Sequence, residues 1–217
     1  MTETPASVTY ASVVSRESVR IALTLAALND LEVKTADIEN AYLTAPVGEK
    51  IWCRLGPEFG ADAGKKAIIV RALYGLKSAG ASFRNHLADC MRHLGWQSCK
   101  ADQDVWMKPE VRGGDGYTYY AYCLLYVDDI LIVHHDGVRM LNEIDRFFKT
   151  KAGSIRDPEF YLGAKLRPIT LTNGVHCWAM SSSKYIQAAV TNVKDYHRKH
   201  FVSRKWAKRT SGPFPLN

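Results

Sequence analysis

Apolar positions along the first third of the chain change their spacing in a way that separates helix from strand. From Arg16 to Leu28 they recur at helical intervals, with Ser15 placed to cap the first turn and Asn29-Asp30 placed to end it. Residues 31–38 then alternate, Leu31 and Val33 against Glu32 and Lys34, which predicts a strand carrying Asp37 towards its end. Glu39, Asn40, Ala41 and Tyr42 follow at once, so the chain turns there and leaves an aromatic near that aspartate. Residues 51–55 and 66–72 predict two strands of a projecting hairpin, joined through the Gly- and Pro-bearing stretch 56–64. After a small-residue loop at 73–80, the spacing of Phe83, Leu87, Met91 and Leu94 predicts a helix over about residues 81–94.

The sharpest pattern lies in the middle. Two β-prone runs, 123–127 and 130–133, flank Asp128 and Asp129, and a two-residue polar break between such runs marks a tight hairpin. Residues 101–109 mix polar and apolar positions without a period, and 112–116 form a turn. Leu141, Ile144, Phe147 and Phe148 predict a helix over 138–149. Residues 160–166 and 175–180 predict another hairpin, turning through Asn173-Gly174, and Ser181 to Ser183 start a helix reaching about Tyr196. This order predicts an α+β fold: a short antiparallel sheet with helices packed on one face.

Composition narrows the class. Apolar residues at 47% and charged residues at 24% of 217 match an ordinary globular protein with material for a core. The 29 Lys and Arg exceed the 22 Asp and Glu, and a net charge of +7 favours a polyanionic partner such as nucleic acid. Seven of those cations, Lys194, Arg198, Lys199, Arg204, Lys205, Lys208 and Arg209, crowd a tail that reads as a solvated end or a strand-binding face. Cys53, Cys90, Cys99, Cys123 and Cys177 form no C-x-x-C pair and suit an intracellular, reduced compartment. His86, Cys90 and His93 share one side of the 81–94 helix but border its apolar stripe, which predicts packing rather than zinc. No signal peptide is visible, and the apolar run at 19–28 is too short to span a bilayer, so no membrane is expected.

Asp128 and Asp129 are the candidate chemistry. Two like charges at the mouth of a core repel unless a cation lies between them, and no basic residue stands close by in sequence. A divalent metal is one answer; a plain Asp-Asp turn is the other. If the end of the Asp37 strand lies beside the hairpin tip, three carboxylates meet at one edge and can hold two Mg²⁺ ions about 4 Å apart. That arrangement suits phosphoryl or nucleotidyl transfer. Lys77, in a loop whose small residues admit close approach, is placed to meet a phosphate.

A set of motifs then points to one family. Asp37-Ile38-Glu39-Asn40-Ala41-Tyr42, Ala72-Leu73-Tyr74-Gly75-Leu76-Lys77, Leu94-Gly95-Trp96 with Ala101-Asp102, Tyr126-Val127-Asp128-Asp129 and Tyr161-Leu162-Gly163 occur in order between about residues 10 and 195. In order and spacing the chain resembles the reverse transcriptase of Ty1/copia-type LTR retrotransposons. The resemblance implies a right-hand polymerase palm with part of the fingers and the start of a thumb. It divides the chain into 1–44 (lead-in, first palm helix and strand), 45–80 (fingers-like hairpin and nucleotide/template loop), 81–168 (palm with the catalytic hairpin) and 169–217 (end of the primer-grip hairpin, thumb-like helix and basic tail). Asp37, Asp128 and Asp129 are then the catalytic and metal residues, with Asp129 supporting the other two, and the cofactor is a pair of Mg²⁺ ions or Mn²⁺ in their place. Ile38, Glu39, Tyr42, Tyr74, Gly75 and Lys77 line the nucleotide, Tyr42 as the aromatic that crowds the sugar 2′ position and selects dNTPs. Tyr126, Leu162 and Gly163 meet primer and template. The implied partners are an RNA template, a DNA primer and dNTPs, in a cytoplasmic virus-like particle of the parent element or in the nucleus.

Ser78, Gly80 and Phe83 depart from the Gln, Pro and Trp that many relatives carry after Tyr-Gly-Leu-Lys. The family's basic N-terminal fingers segment and its C-terminal RNase H region also lack counterparts in the sequence, which reads as a fragment of a longer polyprotein or a decayed insertion. The alternative function is therefore a catalytically dead remnant that keeps the palm fold and binds nucleic acid. Another two-metal palm enzyme, such as a cyclase, would leave Tyr42 and the Tyr74-to-Lys77 loop without a role.

Overall fold

Ser15 opens helix α1 (Arg16–Leu28) by accepting the Ser18 backbone N–H on its side chain. The computed structural model describes residue 9 and residues 11–200. The helix buries Val19, Ala22, Leu23 and Ala26, one face of the expected stripe, and Asn29 closes it by returning its N–H to Leu25. Strand β1 (Glu32–Asp37) follows, then a single helical turn, α2 (Ala41–Thr44), entered through Asn40 in the left-handed region.

The chain next leaves the core as a two-stranded ribbon, β2 (Pro46–Arg54) and β3 (Lys66–Arg71), linked by a 3₁₀ turn at Pro57–Asp62. Its base is pinned by the Ala72 N–H to the Ala45 carbonyl at 3.0 Å and by Arg71 to the Thr44 carbonyl at 2.9 Å. Helix α3 (Ala79–His93) returns to the core with Phe83, Leu87 and Met91 buried, as their spacing predicts.

The main sheet is antiparallel and five-stranded, in the order β1, β7 (Asp129–His134), β6 (Thr118–Tyr126), β5 (Val105–Val111), β4 (Gln97–Ser98). Strand β5 falls largely where the sequence shows no period, because Lys108, Pro109 and Glu110 interrupt it; its pairing with β6 supplies what its own pattern lacks. The centre of the sheet is covered on both sides. Ala36, Ile38, Cys123, Leu125, Ile130 and Ile132 face α3 and α4 (Gly137–Asp145). Val33, Leu124, Leu131 and Val133 face α1 together with Tyr161 and Leu166. This corrects the expected layering, in which helices lay on one face only. A helical period says that a stripe will be buried, not against which side of a sheet.

Helix α4 ends at Asp145, short of the predicted residue 149, where the Asp145 carboxylate accepts from both the N–H and the hydroxyl of Thr150. The region read as one strand over 160–166 is two, β8 (Phe160–Tyr161) and β9 (Ala164–Thr170), folded about Leu162 and Gly163 at φ of 50° and 71°. A leucine in the left-handed region is a costly choice that spacing does not announce. Strand β10 (His176–Ser181) pairs with β9 beyond the expected Asn173-Gly174 turn, and α5 (Ser183–His200) packs beside β9 without a buried residue.

Candidate functional site

Strands β1 and β7 run antiparallel with Asp37 directly opposite Asp129, and Tyr126 of β6 stands opposite Asp129 on its other side. Partners across a ladder point to the same face, so these three side chains form a row across the end of the sheet. Alternation from Val33 and Leu131 puts that row on the side of α1 and Tyr161. Asp128 lies in the turn above it, and its carbonyl accepts the Ile38 N–H at 2.9 Å. The expected meeting of the first strand with the hairpin tip is therefore present in the backbone.

The tip itself is shifted by one position from the sequence expectation. Tyr126 pairs with Asp129, so the two turn residues are Val127 and Asp128, while Asp129 is the first residue of β7. Val127 carries the turn at φ 56°. A β-branched residue there costs on the order of 1–3 kcal/mol, so propensity places the break one residue later than the fold does.

Burial, then the charges of Asp128 and Asp37, push the Asp129 carboxyl up to about 6. The missing counter-charge is Lys151. Its ammonium stands 2.7 Å from Asp37 Oδ1, a buried oxygen that otherwise accepts no hydrogen bond. The ammonium is held above its ordinary value chiefly by Asp37, with Asp128 and Asp129 adding to the effect. Lys151 arrives on the segment that covers the free edge of β1: its N–H donates to the Asp37 carbonyl at 2.8 Å, and Thr35 bridges to Arg156. The sequence argument that no base stands near the carboxylates holds only along the chain, because a loop folded back across the strand edge supplies one.

The donor chemistry fits a hard divalent cation. Carboxylate oxygens are the ligands such ions take, and the like-charge strain at Asp129 is of the kind a cation relieves. As the side chains stand, no group of three or more His, Cys, Asp or Glu among the described residues is gathered closely enough to hold a metal ion. The three carboxylates share an edge, and Lys151 takes up part of the charge for which the sequence offered a metal or a plain turn.

The other expected site residues divide. Tyr42 packs its ring against Tyr74 at 4.6 Å and Phe83 at 6.0 Å, and burial, then Tyr74 and Asp128, raise its hydroxyl above the usual tyrosine range. Tyr74 is exposed beside it, Gly75 turns the loop at φ 95°, and Lys77 is exposed at its end. Glu39 is half-buried and donates its N–H to the Lys149 carbonyl at 2.8 Å. Ile38 has its side chain wholly buried in the core, and its backbone N–H lies at the edge, donating to the Asp128 carbonyl.

Leu162 and Gly163 form the turn between β8 and β9, tied to the main sheet by the Tyr161 hydroxyl donating to the Leu124 carbonyl at 3.0 Å. A recess of about 290 Å³ opens beside the carboxylates, lined by Asp37, Asp129, Lys151, Ser154, Arg156, Glu159 and Phe160 among others. Apart from the two aspartates, none of these seven is a residue the sequence reading singled out as a site residue: Phe160 begins β8, and the others come from a loop with no periodic signal.

His86 packs edge-on against Phe148 at 5.0 Å and His93 against Phe147 at 5.4 Å, while burial pushes the Cys90 thiol up to about 11. These are packing roles. Of the basic tail, Lys194, Arg198 and Lys199 lie on α5, whereas Arg204, Lys205, Lys208 and Arg209 fall outside the described residues. No helix among the described residues is long and apolar enough to cross a membrane.

A family model described as reverse transcriptase (RNA-dependent DNA polymerase) matches residues 4–196. The chain is 29% identical over 184 residues to the retrovirus-related Pol polyprotein from transposon TNT 1-94 of Nicotiana tabacum, covering 82% of this chain and 13% of that protein. It is 25% identical over 184 residues to the retrovirus-related Pol polyprotein from transposon RE1 of Arabidopsis thaliana, covering 82% of this chain and 12% of that protein. A second Arabidopsis thaliana relative, the Pol polyprotein from transposon RE2, is 25% identical over 174 residues, 77% of this chain and 11% of its own length. The chain spans a small fraction of each relative.

Proposed function

The chain belongs to the reverse transcriptase (RNA-dependent DNA polymerase) family, in its Ty1/copia-type retrotransposon group, and from that membership we propose that the sheet-edge carboxylates carry out nucleotidyl transfer from a dNTP to a primer 3′-hydroxyl. The observation that carries this reading is the placement of Asp37 opposite Asp129 with Asp128 in the turn between them and Tyr126. Asp37 and Asp128 would hold two Mg²⁺ ions, or Mn²⁺ in their place, with Asp129 beside them. Bound there, the ions would lower the pKa of the 3′-hydroxyl and neutralise the leaving pyrophosphate.

The chain's own residues bind and orient. Tyr42, backed by Tyr74 and Phe83, crowds the sugar 2′ position. Tyr74, Gly75 and Lys77 border the incoming nucleotide and the RNA template, and the Leu162-Gly163 turn beside Tyr126 steadies the DNA primer end. On this reading the main sheet is the palm, the β2–β3 ribbon part of the fingers, and α5 the start of a thumb.

A second reading, a folded remnant that binds nucleic acid without catalysis, is favoured by one observation: the Lys151 ammonium occupies the Asp37 carboxylate at 2.7 Å, where a metal ion would have to bind. Primer extension on an RNA template, wild type against Asp128→Asn, separates the two. Template-dependent extension lost in the variant supports catalysis. Equal incorporation by both proteins ends that idea, and salt-sensitive binding to an RNA–DNA hybrid without dNTP incorporation favours the remnant.

A further inference from the structure

Tyr74 and Phe83 hold the Tyr42 ring from two sides, and a third side, towards the start of α3, is open. A cavity of about 40 Å³ lies there, lined by Tyr42, Gly80, Phe83, Ala11 and Val127 among others. Gly80 is the second residue of α3 and is not among the glycines with positive φ, so the backbone does not require a glycine there. Glycine is also a poor helix residue. What it leaves is room: a Cβ at Gly80 would lie 3.4 Å from the Ala11 Cβ and 4.0 Å from the Tyr42 hydroxyl oxygen. Gly80 and Phe83 both depart from the Pro and Trp of many relatives, so the space is set by this chain's own side chains.

The far wall of this cavity is held in place. The buried Asp104 carboxylate accepts from Arg84 Nε at 2.8 Å and from the Ser12 hydroxyl, and its carbonyl accepts the Leu125 N–H at 2.9 Å. Phe83 is buried and sits edge-on against Phe148 at 6.0 Å. Packed interiors leave few voids of this kind, and walls so tied do not collapse into one. The ring is the part with freedom. Tyr42 is half-buried, sits on the single turn α2, and makes no hydrogen bond through its hydroxyl to a described residue.

We propose that Gly80 and Phe83 are positioning residues for sugar specificity: they set how far the Tyr42 ring withdraws from the sugar 2′ position towards α3. Neither touches the nucleotide. The inference rests on the reading that Tyr42 crowds that position, and it deepens it by naming what limits the crowding. A ring that can retreat admits a 2′-hydroxyl, so the space behind Tyr42 fixes how strictly ribonucleotides are excluded. Filling the space makes the exclusion stricter, and enlarging it relaxes the exclusion.

The test is single-nucleotide incorporation by the full 217-residue chain on an RNA template, with dATP against ATP. Gly80→Ala should raise the ratio of kcat/KM for dATP to that for ATP about fivefold, because its methyl fills the space without a clash. Phe83→Leu should lower the ratio about as much, because it enlarges the same space. In both variants kcat/KM for dATP should stay within about twofold of wild type, so opposite shifts of one ratio do not come from a damaged fold. Dissociation constants of dATP and ATP on a dideoxy-terminated primer, with Ca²⁺ in place of Mg²⁺, should move in the same order and need no turnover. Tyr42→Ala separates this inference from the reading beneath it. If that variant lowers the ratio while Gly80→Ala and Phe83→Leu leave it unchanged, the inference is overturned and the reading of Tyr42 stands. If Tyr42→Ala leaves the ratio unchanged, the reading fails and the inference with it. A wild-type chain that binds neither nucleotide overturns both.

Discussion

Asp37 and Asp129, distant along the chain, face each other across the β1–β7 ladder, and the ammonium of Lys151 stands 2.7 Å from the first of them. The end of the sheet is thus an acidic edge with one built-in counter-ion. Its properties follow from how charge is shared among Asp37, Asp128, Asp129 and Lys151.

Asp129 sets the pH response. Its carboxyl is pushed from 3.8 up to about 6, so the folded state holds this proton more tightly than the unfolded chain does. Ionised Asp129 therefore costs stability above pH 6, and the cost fades as pH falls from about 6 towards 4. Asp129→Asn should be more stable than wild type at pH 8 by about 1 kcal/mol, allowing for solvent screening of a half-exposed carboxyl. Urea denaturation of the metal-free proteins at pH 8 and pH 5 checks this, and the gap should shrink at the lower pH. A gap that widens on acidification would contradict the assignment.

Lys151 should compete with divalent cations for Asp37. Removing a positive charge next to a cation site strengthens cation binding, so Lys151→Met should bind Mn²⁺ roughly tenfold more tightly than wild type. Paramagnetic resonance of free Mn²⁺ reads this without any turnover. Weaker binding in the variant would mean that Lys151 organises the site instead of opposing the ion.

Tyr42 should govern the choice of sugar. Its ring is fixed between Tyr74 and Phe83, close enough to Asp128 to feel its charge. Tyr42→Ala should raise the kcat/KM for ribonucleotides by about tenfold or more while that for dNTPs changes little. Single-nucleotide incorporation with matched dNTP and rNTP measures the ratio. An unchanged ratio would remove Tyr42 from the sugar site.

Much of this arrangement is legible in the residues. The Ser15 cap, the stripe of Phe83, Leu87 and Met91, the strand ending at Asp37 and the Asn173-Gly174 turn all follow from local chemistry that the fold does not override. The failures have separate causes. Val127 and Leu162 adopt left-handed backbone that their side chains disfavour, and both place a tight turn where propensity would not. Lys151 escapes because it reaches Asp37 from a loop beyond α4, and α1 escapes its face assignment because helical periodicity carries no information about sides. Motif order identified the family where periodicity could not, since the motif residues keep their spacing even where the local structure is strained.

The most direct test is manganese anomalous scattering from crystals of the chain with an RNA template, a DNA primer and a non-hydrolysable dNTP. The account predicts anomalous peaks bridging Asp37 and Asp128 beside the nucleotide phosphates, with the Lys151 ammonium displaced from Asp37. Nucleotide bound at the Tyr42 and Tyr74 rings with no anomalous peak at these carboxylates, and Lys151 still paired to Asp37, would contradict it.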